Sequence, residues 1–241
     1  MTPRLPDLLA APEMHVAEFA ALVANVPYER KGIPNSEMFF LWLCAKADPP
    51  RRILESGRAR GQSTLMLARC FPDAEIISIE RNASSPDVEV AAERLRNQPN
   101  VRLLFGDATL LLPALAMEGD VALIDGPKGF RGVRLALALL ASGKLPLVFV
   151  HDIGPKTAER RFFNKHLPSS RYSDEPDVVR HSHVLDDEEG MGIPSPHRFG
   201  AVGGGFGYGY GLACLRRDAA ISYRLLHIRA ALAGTFERLS R

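Results

Sequence analysis

Four side chains that can move protons or hold a metal ion follow two short apolar segments of the sequence. Asp125 and Lys128 follow VALI, and His151 and Asp152 follow LVFV. Lys128 could act as a general base once burial or a neighbouring cation lowers its pKa, and His151 is the alternative base. Asp125, His151 and Asp152 are also candidate ligands of a divalent metal such as Mg, although an imidazole argues against a pure magnesium site. Metal-assisted and metal-free chemistry both stay open.

A glycine-containing loop, ESGRARG, lies between an apolar segment and a helical one. Glycines at this place let the backbone approach a ligand at the carboxyl edge of an open sheet. The dinucleotide fingerprint GxGxxG would need two more glycines, where the chain has Ala59 and Gln62, so pyrophosphate binding is poorly supported. What stands here is an ExGxxxG loop of Glu55, Gly57 and Gly61, whose acid suits a cationic ligand.

Two further acids end the next apolar segments. Glu80 closes IISIE, where a carboxylate can accept hydrogen bonds from both hydroxyls of a ribose. The alternative for Glu80 is a surface acid paired with Arg81. Asp107 follows VRLLFG, where it can cap the N-terminus of a helix over 109–117.

The elements that would position these residues alternate between apolar strands and amphipathic helices. The strands lack polar alternation, which predicts a doubly wound, mostly parallel sheet covered by helices on both faces. The spacing predicts helices over 13–25 and 36–47 before the sheet begins. It then predicts strands over 52–56, 75–80, 101–105, 121–124 and 146–150, and helices over 63–71, 87–97, 109–117, 131–141 and 156–166.

The chain becomes irregular after residue 167 and ends in a plausible last strand, YGLACLRRD, and a terminal helix. The glycine tract around 200–211, with Phe206, Tyr208 and Tyr210, is either a mobile lid or a hairpin tip. The terminal helix needs a partner surface, either its own domain or a second copy of the chain. Its apolar residues at helical spacing are Ile221, Leu225, Ile228, Leu232, Phe236 and Leu239.

The glycine loop and Glu80 together resemble the class I S-adenosylmethionine-dependent methyltransferases, over roughly residues 36–166. The Asp125 and Lys128 spacing, DxxK, is similar to that of catechol O-methyltransferase and related small-molecule enzymes. The resemblance implies that Glu55 contacts the methionine end of the donor and that Asp107 receives the adenine amino group. It also implies a metal-binding Asp125 and a Lys128 base. The donor-binding set it implies is Glu55, Gly57, Gly61, Ser63, Glu80, Arg81, Asp107, Ala108 and Asp125, with Asn82 nearby.

The sequence departs from the resembled family at two places. The middle glycine of the loop is Ala59, and His151 and Asp152 stand where metal-dependent relatives have an Asp-Asn or Asp-Asp pair. The resemblance implies a seven-stranded Rossmann-like fold in one domain over 1–241. Within it we expect an N-terminal helical cover over 1–48, a donor-binding core over 51–166, and a region over 167–241 with the irregular segment, last strand and C-terminal helix.

The composition indicates which classes of partner the chain binds. The formal net charge is +2 and the charges are mixed, which disfavours nucleic acid and favours a small-molecule acceptor. No signal peptide or membrane span is apparent, and Cys44, Cys70 and Cys214 have no metal-binding or disulfide spacing. We therefore expect a cytoplasmic protein with buried, reduced thiols and no membrane association; a homodimer through the terminal helix stays open.

The expected reaction is in-line methyl transfer to a small molecule, with a hydroxyl oxygen as the favoured acceptor. Two other classes stay open: a noncatalytic S-adenosylmethionine binder on the same fold, and a nicotinamide-dependent oxidoreductase. The motif DGPKG could instead be a turn with a solvated Lys128. His181, His183 and His197 either line an acceptor pocket or are merely solvated.

Overall fold

The computed structural model describes residues 5–27, 29, 32–186 and 211–239. Each predicted helix and strand of the 52–166 region is present, with ends that shift by up to two residues. The helices are α1 Leu5–Ala10, α2 Glu13–Leu22, α3 Asn35–Lys46, α4 Gln62–Cys70, α5 Asp87–Leu95, α6 Ala108–Leu115, α7 Phe130–Ala141, α8 Ala158–His166, α9 Pro176–Ser182 and α10 Tyr223–Leu239. The strands are β1 Arg52–Ser56, β2 Glu75–Glu80, β3 Val101–Phe105, β4 Val121–Ile124, β5 Leu147–Val150, β6 Arg171–Tyr172 and β7 Ala213–Arg216.

The seven strands form one sheet in the order β3-β2-β1-β4-β5-β7-β6. Strands β1 to β5 are parallel, and β7 runs antiparallel between β5 and β6. Helices cover both faces, so the predicted doubly wound, mostly parallel sheet is confirmed. Strands β4 and β5 are buried on both sides, which explains their unbroken apolar sequences VALI and LVFV.

The order of the strands reverses between β1 and β4, and this reversal creates a crevice beyond their carboxyl ends. Ser56 pairs with Ile124, and Ile124 with Val150, so the three strands end at one level. The loops that follow them, which begin at Gly57, Asp125 and His151, therefore meet at the same edge.

Helix α3 is enclosed on nearly all sides. It lies between one face of the sheet and the helices α1, α2 and α9, and its residues from Ser36 to Ala45 are all buried. This explains why the segment MFFLWLCA is apolar around its whole circumference. The one acid within the helix, Glu37, is buried with the rest.

Helix α10 packs on its own domain, which confirms one of the two expectations for it. It lies on α7 through Tyr223, Leu226 and Ala230, which are buried. Four of the apolar residues singled out in the sequence face outward: the exposed fractions are 47% for Leu225, 59% for Ile228, 57% for Leu232 and 71% for Phe236. We call these four residues the outer stripe. The contact with α7 uses the opposite side of the helix, so the outer stripe itself stays exposed in this structure.

Within the residues that the structure describes, no helix has the length and apolarity needed to cross a bilayer. The three cysteines are buried free thiols, as expected from their spacing. The glycine tract up to residue 210, with its three aromatic residues and His197, lies outside the described residues.

The contact between α10 and α7 depends on the absence of a side chain at Gly234. A Cβ there would lie 2.8 Å from Cβ of Phe130, too close for unstrained packing. We expect Gly234→Leu to lower the free energy of unfolding by about 2 kcal/mol, because overpacking outweighs the gain in helix propensity. Urea denaturation measures the change. Thr235→Leu, at an exposed position of the same helix, is the control, and equal stability of the two variants would contradict the packing.

Candidate functional site

The four sequence-predicted catalytic and metal-binding residues lie together at the carboxyl edge of the sheet. Asp125 and Lys128 come from the loop after β4, and His151 and Asp152 from the loop after β5. The backbone NH of His151 donates to Ile124 at 2.9 Å, which extends the strand register into the site. A fifth residue, Glu37 of α3, joins them from the helical layer. We call these five residues the charged cluster.

His151 is held between two carboxylates. Its Nδ1 lies 2.6 Å from Oδ1 of Asp125, and its Nε2 lies 2.9 Å from Oε2 of Glu37 as an ion pair. The imidazole and the Glu37 side chain are both buried. The second oxygen of Glu37 accepts a hydrogen bond of 2.6 Å from the backbone NH of Gly211. Glu37 therefore ties α3 both to the strand loops and to the approach of β7.

The imidazole of His151 is a cation in this environment. Burial disfavours the charged form, but the carboxylates of Asp125 and Glu37 outweigh burial and raise the pKa of His151 to about 10. Burial also opposes ionisation of Asp125, yet His151 and Lys128 hold the pKa of that carboxyl below its ordinary value. An imidazolium has no free lone pair, so this arrangement argues against His151 as a general base at neutral pH.

The ammonium of Lys128 lies between two carboxylates in the same way. Its Nζ contacts Oδ1 of Asp125 and Oδ2 of Asp152. Burial alone would lower the pKa of Lys128, but these two carboxylates raise it above its ordinary value. A lysine that acts as a base needs the opposite shift. The Lys128 side chain is 43% exposed. It is therefore not the fully solvated lysine that a simple DGPKG turn would present.

Asp152 has an unusual backbone for a residue with a side chain. Its φ is +64°, in the left-handed region that favours glycine, and its side chain is buried. Aspartate tolerates this region better than most residues, but the conformation still costs about 1 kcal/mol or more. In this conformation the Asp152 carboxylate contacts Nζ of Lys128.

Glu55 is a buried anchor of the glycine loop. Its Oε1 accepts a hydrogen bond of 2.5 Å from Ser63, and its Oε2 accepts from Thr64 and, at 2.6 Å, from Ser78. Burial raises the pKa of this carboxyl, while the three hydroxyls favour its charged form. Its carboxylate is occupied within the protein, so the predicted contact with the donor would pass through Ser63, and it stays a prediction.

The glycine loop passes close to the loop that follows β4. A Cβ on Gly57 would lie 2.9 Å from the backbone carbon of Asp125, and its φ of +89° also favours glycine. Glu80 stabilises the next residues, because its Oε2 accepts from the backbone NH of Ala59 at 3.0 Å. Its Oε1 accepts from the amides of Arg81 at 2.7 Å and Asn82 at 3.2 Å. Glu80 thus joins the loop to the end of β2, and no ion pair with Arg81 is needed to explain it.

Asp107 caps the N-terminus of helix α6, which is one of the two roles predicted for it. Its Oδ1 accepts from the backbone NH of Thr109 at 2.9 Å and from the Thr109 hydroxyl at 2.7 Å. These hydrogen bonds lower the pKa of the Asp107 carboxyl. Ala108, the first residue of the helix, is buried in the hydrophobic core.

A cavity of about 270 Å³ joins the two groups of residues. Its lining includes the glycine-loop residues Gly57, Ala59 and Ser63 on one side and Asp125 of the charged cluster on another. The N-terminal segment closes it with Glu29 and Ile33. A ligand in this cavity would touch both the predicted donor loop and Asp125, the member of the charged cluster that lines it.

The N-terminal segment is fastened to the glycine loop by ionic contacts that sequence reasoning missed. Oε2 of Glu29 lies 2.9 Å from Arg60, and Oε1 lies 2.6 Å from Arg94. Burial opposes ionisation, but the two guanidinium groups hold the pKa of Glu29 below its usual range. The side chain of Gln62 also accepts from the Glu29 amide at 2.7 Å. These contacts place the segment over the cavity.

The histidines of the irregular region lie elsewhere. His181 is 3.7 Å from Glu13, and Nδ1 of His183 is 3.1 Å from the carbonyl of Val179. Both sit on the helical layer with α2 and α9, and neither lines the cavity as described. Glu37 is the residue that sequence reasoning overlooked. A lone acid within an otherwise apolar helix was the signal that could have found it.

The chain matches no protein-family model. It is similar to solved structures at low identity. The SAH-bound methyltransferase PaMTH1 of Podospora anserina is 20% identical, with a TM-score of 0.48 and coverage of 88% of each chain. The O-methyltransferase TomG of Streptomyces achromogenes, in complex with SAM, is 20% identical over 84% of this chain and 89% of that chain, with a TM-score of 0.47. An O-methyltransferase from Bacillus cereus in complex with SAH is 19% identical over 86% and 90%, with a TM-score of 0.47.

The pairing of His151 with Glu37 predicts a measurable titration. The folded pKa of about 10 lies above the ordinary value of 6.5, so the stabilising contribution is complete below pH 6.5 and is lost as pH rises towards 10. We expect the His151 ring resonances in NMR spectra to show no titration between pH 6 and 8. In Glu37→Gln they should titrate at a lower pH, because one of the two carboxylates is gone, and the fall in stability at high pH should shrink.

His166, whose pKa is lowered by burial and by nearby cations, is an internal reference in the same spectra. If the wild-type His151 signal titrated near 6.5, the imidazolium assignment would be refuted.

Proposed function

We propose that this chain transfers a methyl group from S-adenosylmethionine to a small-molecule acceptor, with oxygen as the atom that is methylated. The observation that carries the proposal is the shared cavity, because Gly57, Ala59 and Ser63 border it together with Asp125. A donor on the glycine loop would lie beside the charged cluster. That adjacency is what a group-transfer reaction between two bound molecules requires.

The acids along the edge offer acceptor positions that suit a nucleoside. A carboxylate has about four lone-pair positions, and Glu80 uses two on Oε1 and one on Oε2. One position on Oε2 is left for a ribose hydroxyl. Both hydrogen bonds to Asp107 go to Oδ1, which leaves Oδ2 for an adenine amino group. Arg81, Asn82 and Ala108 would flank the nucleoside, and Gly61 ends the loop beneath it.

The residues of the glycine loop favour a sulfonium donor over a dinucleotide cofactor. Carboxylates of Glu29, Asp87 and Asp125 and guanidinium groups of Arg58 and Arg60 all line the cavity, so its lining carries charges of both signs. Ala59 and Gln62, in place of two glycines of the dinucleotide fingerprint, support the methyl donor over a nicotinamide dinucleotide.

Methyl transfer here is an in-line displacement. The bond from the acceptor oxygen to the methyl carbon forms as the carbon–sulfur bond breaks, and its electron pair stays on sulfur. In the proposed arrangement the acceptor binds beside Lys128, which is a cation and the most exposed member of the cluster. In that state it orients and stabilises an oxygen that has given up its proton, which suits acidic hydroxyls such as phenols, whose proton passes to solvent. Asp125 and Asp152 fix the ammonium in place, and His151 in turn holds Asp125.

Isothermal titration with S-adenosylmethionine, S-adenosylhomocysteine and NAD tests the donor site. We expect both sulfur ligands to bind and NAD not to bind. Glu80→Ala should weaken both by about tenfold or more, because it removes a hydrogen bond from a charged group to the ribose. Glu118→Ala, an exposed acid at the other edge of the sheet, is the matched control and should bind as the wild type does. Absence of binding by the wild type would refute the proposal.

A turnover assay separates the enzyme from a noncatalytic binder. With S-adenosylmethionine and a panel of phenolic and aliphatic hydroxyl compounds, mass spectrometry should detect acceptors that are heavier by one methylene group, together with S-adenosylhomocysteine. Donor binding without any such product would favour the binder. Small molecules are the expected acceptors because the net charge of +2 offers no broad basic surface for nucleic acid.

We also propose that the chain forms a homodimer in the cytoplasm. The free thiols support a reducing compartment, and the outer stripe supports the dimer, since a two-fold axis would pair this apolar surface with itself. Light scattering should give twice 26.4 kDa for the wild type. Leu232→Glu should give the monomer, and Met14→Glu, an equally drastic change at an exposed apolar residue of α2, should leave the dimer intact. A monomeric wild type would contradict the dimer.

A further inference from the structure

Three members of the charged cluster have the composition of a metal site. Asp125, His151 and Asp152 each bring one ligand atom within 4.8 Å of the others. The resemblance of the DxxK spacing to catechol O-methyltransferase implies a divalent metal at this place. Whether a metal fits depends on what those atoms already contact. Each of the three is engaged by another charged group of the protein.

The imidazole cannot serve as a ligand in the arrangement described. A histidine coordinates a metal through the lone pair of a neutral ring nitrogen. Nδ1 of His151 lies against Asp125 and Nε2 against Glu37, so both nitrogens face a carboxylate. The donor set is reduced to the two aspartates.

A cation already bridges those two aspartates. Nζ of Lys128 contacts Asp125 and Asp152 together, at the point where a metal ion would have to coordinate both. Both carboxylates are largely shielded from water, with side chains 17% and 3% exposed, so each depends on a nearby positive charge. The lysine supplies that charge from within the chain.

We propose that the Lys128 ammonium takes the place of a divalent cation in this cluster, so that the protein binds no metal there until the ammonium is removed. With both nitrogens of His151 facing carboxylates and both aspartates bridged by Lys128, the residues do not fit a resident metal. The chemistry of the site is therefore metal-independent. This distinguishes the chain from the metal-dependent enzymes whose DxxK spacing it shares. In this role Lys128 must stay protonated, because only the charged ammonium can balance the two carboxylates in place of a metal ion.

The inference predicts a gain of metal binding. Titration with MnCl2, followed by calorimetry and by the electron paramagnetic resonance signal of free Mn²⁺, should show no stoichiometric binding to the wild type. Lys128→Ala and Lys128→Gln should each bind one Mn²⁺ at least about tenfold more tightly than the wild type, because the bridging charge has been removed. Lys128→Arg keeps a cation and should stay metal-free.

Two controls make the result specific. Lys165→Ala removes an exposed lysine from α8 and should behave as the wild type. Adding Asp152→Asn to Lys128→Gln should abolish the new site, and thermal unfolding confirms that each variant is folded. Stoichiometric Mn²⁺ binding by the wild type that Asp152→Asn abolishes would overturn the inference. The inference would also be overturned if Lys128→Ala and Lys128→Gln were both folded and neither bound Mn²⁺. The titrations contain no methyl donor, so their outcome is separate from that of the donor-binding test.

Discussion

A buried imidazolium held between two carboxylates is the interaction on which the site depends. A buried ion without a partner costs on the order of several kcal/mol, so Glu37, Asp125 and His151 can be buried only together. They come from α3 and from the loops after β4 and β5. Their pairing therefore fixes the position of a helix on the sheet edge. The hydrogen bond from Gly211 to Glu37 extends this constraint to the approach of β7.

The donor side of the cavity is organised by a separate set of polar contacts. Glu55 is satisfied by three hydroxyls, and Glu80 by three backbone amides, so the glycine loop is held without any ligand. The charged cluster is held equally without one. A cavity between two independently fixed walls is preformed, and binding need not first order the loops that line it.

Local patterns predicted the elements because the forces behind them are local. Short, largely apolar runs without polar alternation predicted the five parallel strands, and the helix predicted over 63–71 occurs at Gln62–Cys70. The short elements β6 and α9 were missed, since two or seven residues among polar neighbours carry no period to detect. The helical spacing of the apolar residues in the outer stripe of α10 was predicted. Which side of the helix packs on the domain was not predictable, because both sides carry apolar residues.

The sequence by itself determined which chemical groups stand at the carboxyl ends of the strands, since strand order and alternation place Glu55, Glu80, Asp125 and His151 there. Tertiary structure alone decided their states. Lys128 suggested a base from its spacing, yet it becomes a fixed cation because Asp125 and Asp152 converge on it. His151 becomes an imidazolium because Glu37 reaches it from a distant part of the chain. A pKa depends on every charge within a few ångströms, and those neighbours are assembled only by folding.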